Sequence, residues 1–124
     1  MMSKMTGARF MAETVHGYGI THVFFMPYIA PRALMEMEKL GIKRIQTHGE
    51  KAAAYMADAY ARIKRSPGLC MAQSVGAVNL AAGLQDAYLA CAPVIALTGR
   101  ENQINQQRHA YQEVVHVNPF SAVT

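Results

Sequence analysis

Charge is scarce in this sequence. Asp, Glu, Lys and Arg make up 16% of its 124 residues, against 52% hydrophobic residues. That balance excludes a disordered, self-solvating chain and leaves enough apolar mass to fill the core of one domain. Long apolar runs are missing as well. No stretch approaches the roughly 18 residues that a membrane-spanning helix needs. Met1-Met2-Ser3-Lys4-Met5 lacks the apolar segment and small-residue cleavage site of a secretory leader. A cytoplasmic protein with no membrane partner is the expectation.

Metal and redox signals are equally thin. There are two cysteines, Cys70 and Cys91, each in an apolar run, with no CxxC and no Cys/His ligand spacing. Both are expected as free, buried thiols. His16, His22, His48, His109 and His116 form no HExxH or comparable pair, which argues against a metal cage built by this chain. No GxGxxG or P-loop follows any strand-like segment, and Gly17-Tyr18-Gly19 ends a helix instead of opening one. The formal charge is +4. The densest basic cluster, Arg62-Ile63-Lys64-Arg65, falls where a helix should stop and where cations favour its dipole. A nucleic-acid surface would need a longer basic stripe with interleaved aromatics, so no nucleic-acid partner is expected.

What the sequence does contain is an alternation of two periods, with no repeat, low-complexity tract or linker. Helical spacing runs from Thr6 to Tyr18, from Ala30 to Leu40, from Glu50 to Arg65 and from Val75 or Gly76 to Cys91. Between these lie short apolar runs read as buried strands: His22–Met26, Leu69–Ala72 and Pro93–Thr98. Lys43–Thr47 is more polar and reads as a strand nearer an edge. From Arg100 the chain turns polar and loop-like, up to an apolar stretch at Tyr111–Val117. Repeated helix–strand alternation predicts an α/β fold, a parallel sheet with helices on both faces. Ligands of such folds bind beyond the carboxyl ends of the strands. Those ends are Pro27-Tyr28-Ile29, His48-Gly49-Glu50, Gln73-Ser74-Val75-Gly76 and Gly99-Arg100-Glu101.

Glu50 stands out in these loops. On position alone it is a carboxylate in a first helical turn, where negative charge favours the helix dipole. It also opens the string Glu50-Lys51-Ala52-Ala53-Ala54-Tyr55-Met56-Ala57-Asp58-Ala59-Tyr60-Ala61-Arg62. That string resembles the pyrimidine-binding domain of thiamine diphosphate-dependent enzymes of the acetolactate synthase type, whose pattern is a Glu, an Ala-rich stretch and then Ala-Asp-Gly-Tyr-Ala-Arg. Four more segments agree in order: Gly19-Ile20-Thr21-His22-Val23-Phe24, Gly76-Ala77-Val78-Asn79-Leu80, Pro93–Gly99 and Tyr111-Gln112-Glu113-Val114. The resemblance covers nearly the whole chain, so residues 1–124 are expected to form one pyrimidine-binding domain.

The resemblance implies a role for Glu50. It would hydrogen-bond N1′ of the cofactor's aminopyrimidine and favour the imino form that takes the proton from the thiazolium C2, which then attacks the carbonyl of a 2-keto acid. A buried carboxylate suits this task, because desolvation raises its pKa and lets it exchange a proton near neutral pH. By the same resemblance Val75 packs beside the pyrimidine, Asn79 lies near that ring, Gln112 lines the pocket and Pro27 opens the first ligand loop. Each also has an ordinary reading: Val75 as core or helix staple, Asn79 as a polar residue of a first turn, Gln112 as a surface side chain.

Departures from the family pattern cluster in the ligand loops. Pro-Gly-Gly is Pro27-Tyr28-Ile29 here, so Tyr28 and Ile29 are expected to narrow that part of the pocket. The His before the catalytic Glu is Gly49, with His48 one place earlier. Ser-Gly-Pro-Gly is Gln73-Ser74-Val75-Gly76, and the Gly of the Ala-Asp-Gly-Tyr string is Ala59. The Gly-Asp-Gly…Asn motif with which the family holds diphosphate and Mg²⁺ on a second domain is absent. The chain also stops at Thr124, before the family's pyrimidine domain normally finishes. Further sheet elements and the diphosphate site are therefore expected on a longer chain or on another subunit. The implied partners are a second copy in a homodimer or tetramer, or a separate diphosphate-binding chain. Alone, the 124 residues should turn over no substrate, bind the cofactor weakly and self-associate. The expected function is the N-terminal part of a 2-keto-acid decarboxylase or carboligase. The alternative is a non-catalytic interaction module that keeps the fold without the chemistry.

Overall fold

The two sequence periods resolve into alternating helices and parallel strands in the computed structural model, which describes residues 4–124. The leaderless N-terminus expected at Met1–Ser3 lies outside the described residues. The order is α1 (Gly7–Gly17), β1 (His22–Phe25), α2 (Pro31–Lys39), β2 (Lys43–Gln46), α3 (Glu50–Lys64), β3 (Gly68–Gln73), α4 (Ser74–Leu89) and β4 (Val94–Gly99). A 3₁₀ turn at Gln103–Asn105 and the short helix α5 (Val117–Phe120) follow. The helix boundaries have local causes. The Thr6 hydroxyl accepts from the Arg9 amide and caps α1, and Pro31 opens α2, where its missing N–H is no loss. Arg65 closes α3 in the left-handed region, after Arg62 and Lys64 in its last turn.

The strands form one parallel sheet in the order β2-β1-β3-β4. The polar strand β2 is an edge, as its composition suggests. Alternation along the strands sorts the core into two layers. Val23, Leu69 and Met71 point to one face, where they meet Ala12 and Val15 of α1 and Leu34 and Met37 of α2. Phe24, Cys70 and Ala72 point to the other, against Ala53, Ala54 and Ala57 of α3 and Leu80 and Leu84 of α4. Helices therefore cover both faces of the sheet. Among the described residues no helix is long and apolar enough to cross a membrane.

Four alanines of α3 are used within the chain. Ala53, Ala54, Ala57 and Ala61 are buried. A Cβ on Gly83 of α4 would come within 2.7 Å of Ala54 Cβ and 2.8 Å of Lys51 O. A Cβ on Gly68 of β3 would come within 2.2 Å of Ala57 O. Small residues on α3, α4 and β3 thus let the three backbones approach one another. The Ala57–Arg62 string adds a polar tie. Arg62 donates from Nε and Nη2 to the two carboxylate oxygens of buried Asp58, each at 2.8 Å, and from Nη2 to the Asp86 carbonyl of α4 at 3.2 Å. Cys70 is buried as expected, and burial pushes its thiol up to about 12. Cys91 is exposed, contrary to expectation: it sits past the end of α4 in a left-handed turn (φ 52°) and not in the strand that follows.

Candidate functional site at the sheet switch point

The chain passes from β1 to β2 through α2 on one face, and from β2 to β3 through α3 on the other. The direction of winding reverses between β1 and β3, and a crevice opens there beyond the strand ends. A cleft of about 510 Å³ lies at that point, lined by Met26, Pro27, Tyr28, Glu50, Gln73, Val75, Gly76, Tyr111 and Gln112. Four of the five residues singled out in the sequence, Pro27, Glu50, Val75 and Gln112, therefore share one cavity. The fifth, Asn79, touches it indirectly: its Nδ2 donates to Glu50 Oε2 at 3.3 Å.

Glu50 reaches this place through the turn after β2. The Thr47 amide donates to Phe25 O at 2.9 Å, and the Thr47 hydroxyl donates to Gly49 O at 2.9 Å. Gly49 is the extended cap residue of α3, with no side chain of its own to cap the helix. Gly76 and Asn79, one turn apart on α4, meet the Glu50 side chain from the other side. A Cβ on Gly76 would lie 2.5 Å from Glu50 Oε1, so the glycine lets the carboxylate rest against α4 in this orientation. Glu50 is half-buried in this chain and not fully buried. Complete burial of the carboxylate depends on what covers the cleft mouth.

The loops keep left-handed backbone where the family pattern has glycine. Tyr28 (φ 71°) stands in the Pro-Gly-Gly loop and Ser74 (φ 47°) in the Ser-Gly-Pro-Gly turn. For residues with a Cβ this conformation costs about 1–2 kcal/mol each. Tyr28 reaches the cleft mouth with most of its ring in solvent, 86% exposed. Ile29 does not narrow the pocket as expected. It turns into the core at 3% exposure, beneath Gly99, where an added Cβ would come within 2.6 Å of Ile29 Cδ1. The last wall is the segment that carries Tyr111 and Gln112, which is also left-handed at Gln112 (φ 58°). Gln112 Nε2 donates to the Tyr111 hydroxyl at 3.0 Å. Glu113 gathers this loop by accepting from the Ala110 and Gln107 amides, and those backbone bonds hold its carboxyl below the usual glutamate value.

The arrangement fits the aminopyrimidine end of thiamine diphosphate. Asn79 holds one carboxylate oxygen of Glu50, while Oε1 has no hydrogen-bond partner among the described residues, and Gly76 leaves space beside it. A metal ion finds no such fit: among the described residues no three His, Cys, Asp or Glu side chains gather to hold one. Composition and periodicity could not single out Thr47, Gly76 and Tyr111. Gly76 and Tyr111 lie inside matched segments, so their place in those segments is the signal that could have found them.

Comparison with known proteins gives the family of the chain. The family described as thiamine pyrophosphate enzyme, N-terminal TPP binding domain, matches residues 5–119. An acetolactate synthase from Arthrospira platensis is 34% identical over 91% of this chain and 21% of its own length. The acetolactate synthase large subunit of Porphyra purpurea is 34% identical over 90% of this chain and 20% of its own. The chloroplastic acetolactate synthase of Arabidopsis thaliana is 31% identical over 95% and 18%. The chain spans about a fifth of the length of these curated relatives. It belongs to the thiamine pyrophosphate enzymes and corresponds to their N-terminal TPP binding domain.

Proposed function

We propose that this chain supplies the pyrimidine-binding wall of a thiamine diphosphate-dependent 2-keto-acid decarboxylase or carboligase, acetolactate synthase-like, with Glu50 as its catalytic carboxylate. The observation that carries the reading is the placement of Glu50 over Gly76 in the switch-point cleft, with Oε2 held by Asn79. Bound there, thiamine diphosphate would supply a thiazolium carbon that acts as electron sink for a 2-keto acid. The chain's own residues do the rest. Glu50 presents a carboxylate oxygen to the pyrimidine ring nitrogen and holds or releases a proton there. Asn79 fixes the other oxygen and with it the plane of the carboxylate. Pro27 and Val75 give the planar ring apolar walls, and Gln112 offers an amide at the rim. Diphosphate and Mg²⁺ would be held by a neighbouring module, on the same longer chain or on a second subunit of a homodimer or tetramer.

The test is turnover of a panel of 2-keto acids by the chain joined to a diphosphate-binding module, with thiamine diphosphate and Mg²⁺. Glu50→Gln should lower turnover by about 10²–10⁴-fold while the protein stays folded. Unchanged turnover would remove the role given to Glu50. The exposed Tyr28 at the cleft mouth favours a second reading, a non-catalytic module. Tight, magnesium-dependent cofactor binding by the assembled protein counts against that reading, and absence of binding counts for it.

A further inference from the structure

The cleft has two kinds of wall. Pro27, Glu50, Val75 and Gly76 belong to elements locked into the two core layers. Tyr111 and Gln112 belong to residues 100–124, none of which is fully buried, although Phe120 and Val123 rest against the α3/α4 layer. Among the described residues, one hydrogen bond joins this segment to residues 4–99: His116 Nε2 lies 2.9 Å from the Ser74 carbonyl oxygen. Ser74 is the buried, left-handed corner at which β3 becomes α4, directly before the cleft residues Val75 and Gly76.

We infer that His116 is a positioning residue, a latch that fixes the wall carrying Tyr111 and Gln112 to the Ser74 corner. A carbonyl oxygen only accepts, so Nε2 must carry the hydrogen. Only three residues lie between Gln112 and His116, so the bond sets where the Gln112 loop meets the cleft. The consequence for cofactor binding rests on the function proposed above; the latch itself does not.

The experiment compares the chain with His116→Leu, which removes the donor, and His116→Gln, whose Nε2 can reach the same carbonyl. In the ligand-free protein, amide exchange at Ala110 and Glu113 should be about fivefold faster in His116→Leu, the factor expected for one net hydrogen bond. Exchange in His116→Gln should stay near the parent rate. Titration of the three proteins, each joined to a diphosphate-binding module, with thiamine diphosphate and Mg²⁺, followed by the amide shifts of Val75 and Gly76, should show about fivefold weaker binding in His116→Leu and recovery in His116→Gln. Nitrogen-15 shifts of the imidazole in the unsubstituted chain give a reading that needs no variant, and Nε2 should carry the hydrogen. An unprotonated Nε2, or equal exchange in all three proteins, overturns the latch. Slower exchange in the unsubstituted chain than in His116→Leu, with no thiamine diphosphate binding by either once joined to a diphosphate-binding module, keeps the latch and defeats the proposed function.

Discussion

Residues 4–99 and residues 100–124 hold their shapes by different means. In the first region strands alternate between two packed layers, and two glycines sit where a methyl group has no room: Gly68 against the Ala57 carbonyl and Gly83 against Ala54 and the Lys51 carbonyl. In the second region local hydrogen bonds dominate. Glu113 accepts from the Gln107 and Ala110 amides, and His116 ties the segment to Ser74. The cleft is built where the two regions meet. One wall is therefore rigid through close packing, and the other through a few polar contacts open to solvent and to pH.

Substitution at Gly68 should break the first region most severely. A Cβ there would lie 2.2 Å from a main-chain oxygen, and no side-chain rotation can relieve that contact. Gly68→Ala should cost about 3 kcal/mol in a denaturant titration, and a change within 0.5 kcal/mol would mean that α3 and β3 are not in close contact. Asp58→Ala should act in the same direction with a smaller drop in thermal midpoint, because it leaves the Arg62 fork without its acceptor while Arg62 keeps access to water.

Titration should sharpen the contrast with the smallest effect. Glu113 has a carboxyl held below its ordinary value of 4.5 by the amides of Gln107 and Ala110. A depressed value in the folded state means that its contribution is fully present above about pH 4.5. The contribution is lost as pH falls through the lower folded value. Amide exchange at Gln107 and Ala110 should accelerate in that acid window, while Ala57 and Leu80 keep their protection. Acceleration of all four together would show that the two regions share one stability.

The framework was legible because its signals are local and periodic. The alanine stripe of α3, the proline that opens α2 and the apolar runs of the strands each specify an element with little help from the rest of the chain. The site was legible through register. Glu50, Asn79 and Gln112 are not distinguished by composition and were singled out by their place in matched segments, and Val75 by its place in the turn before one. What stayed hidden depends on three-dimensional approach. Gly68 reads as a helix breaker after Ser66-Pro67, yet it also admits the Ala57 carbonyl to β3. Ile29 reads as a loop residue and is core, and Cys91 reads as part of an apolar run and lies in an exposed turn. Tyr28 and Ser74 adopt a left-handed backbone that their residue types do not announce. No pattern in the sequence pairs His116 with a carbonyl 42 residues away.

The central claim is that the Glu50 carboxylate meets the pyrimidine ring. Its most direct test is carbon-13 observation of glutamate side-chain carboxyls during titration of the assembled protein with thiamine diphosphate and Mg²⁺. The account predicts that the Glu50 resonance moves with saturation while those of Glu36 and Glu38 on α2 stay fixed. Saturable cofactor binding with a stationary Glu50 resonance would contradict it.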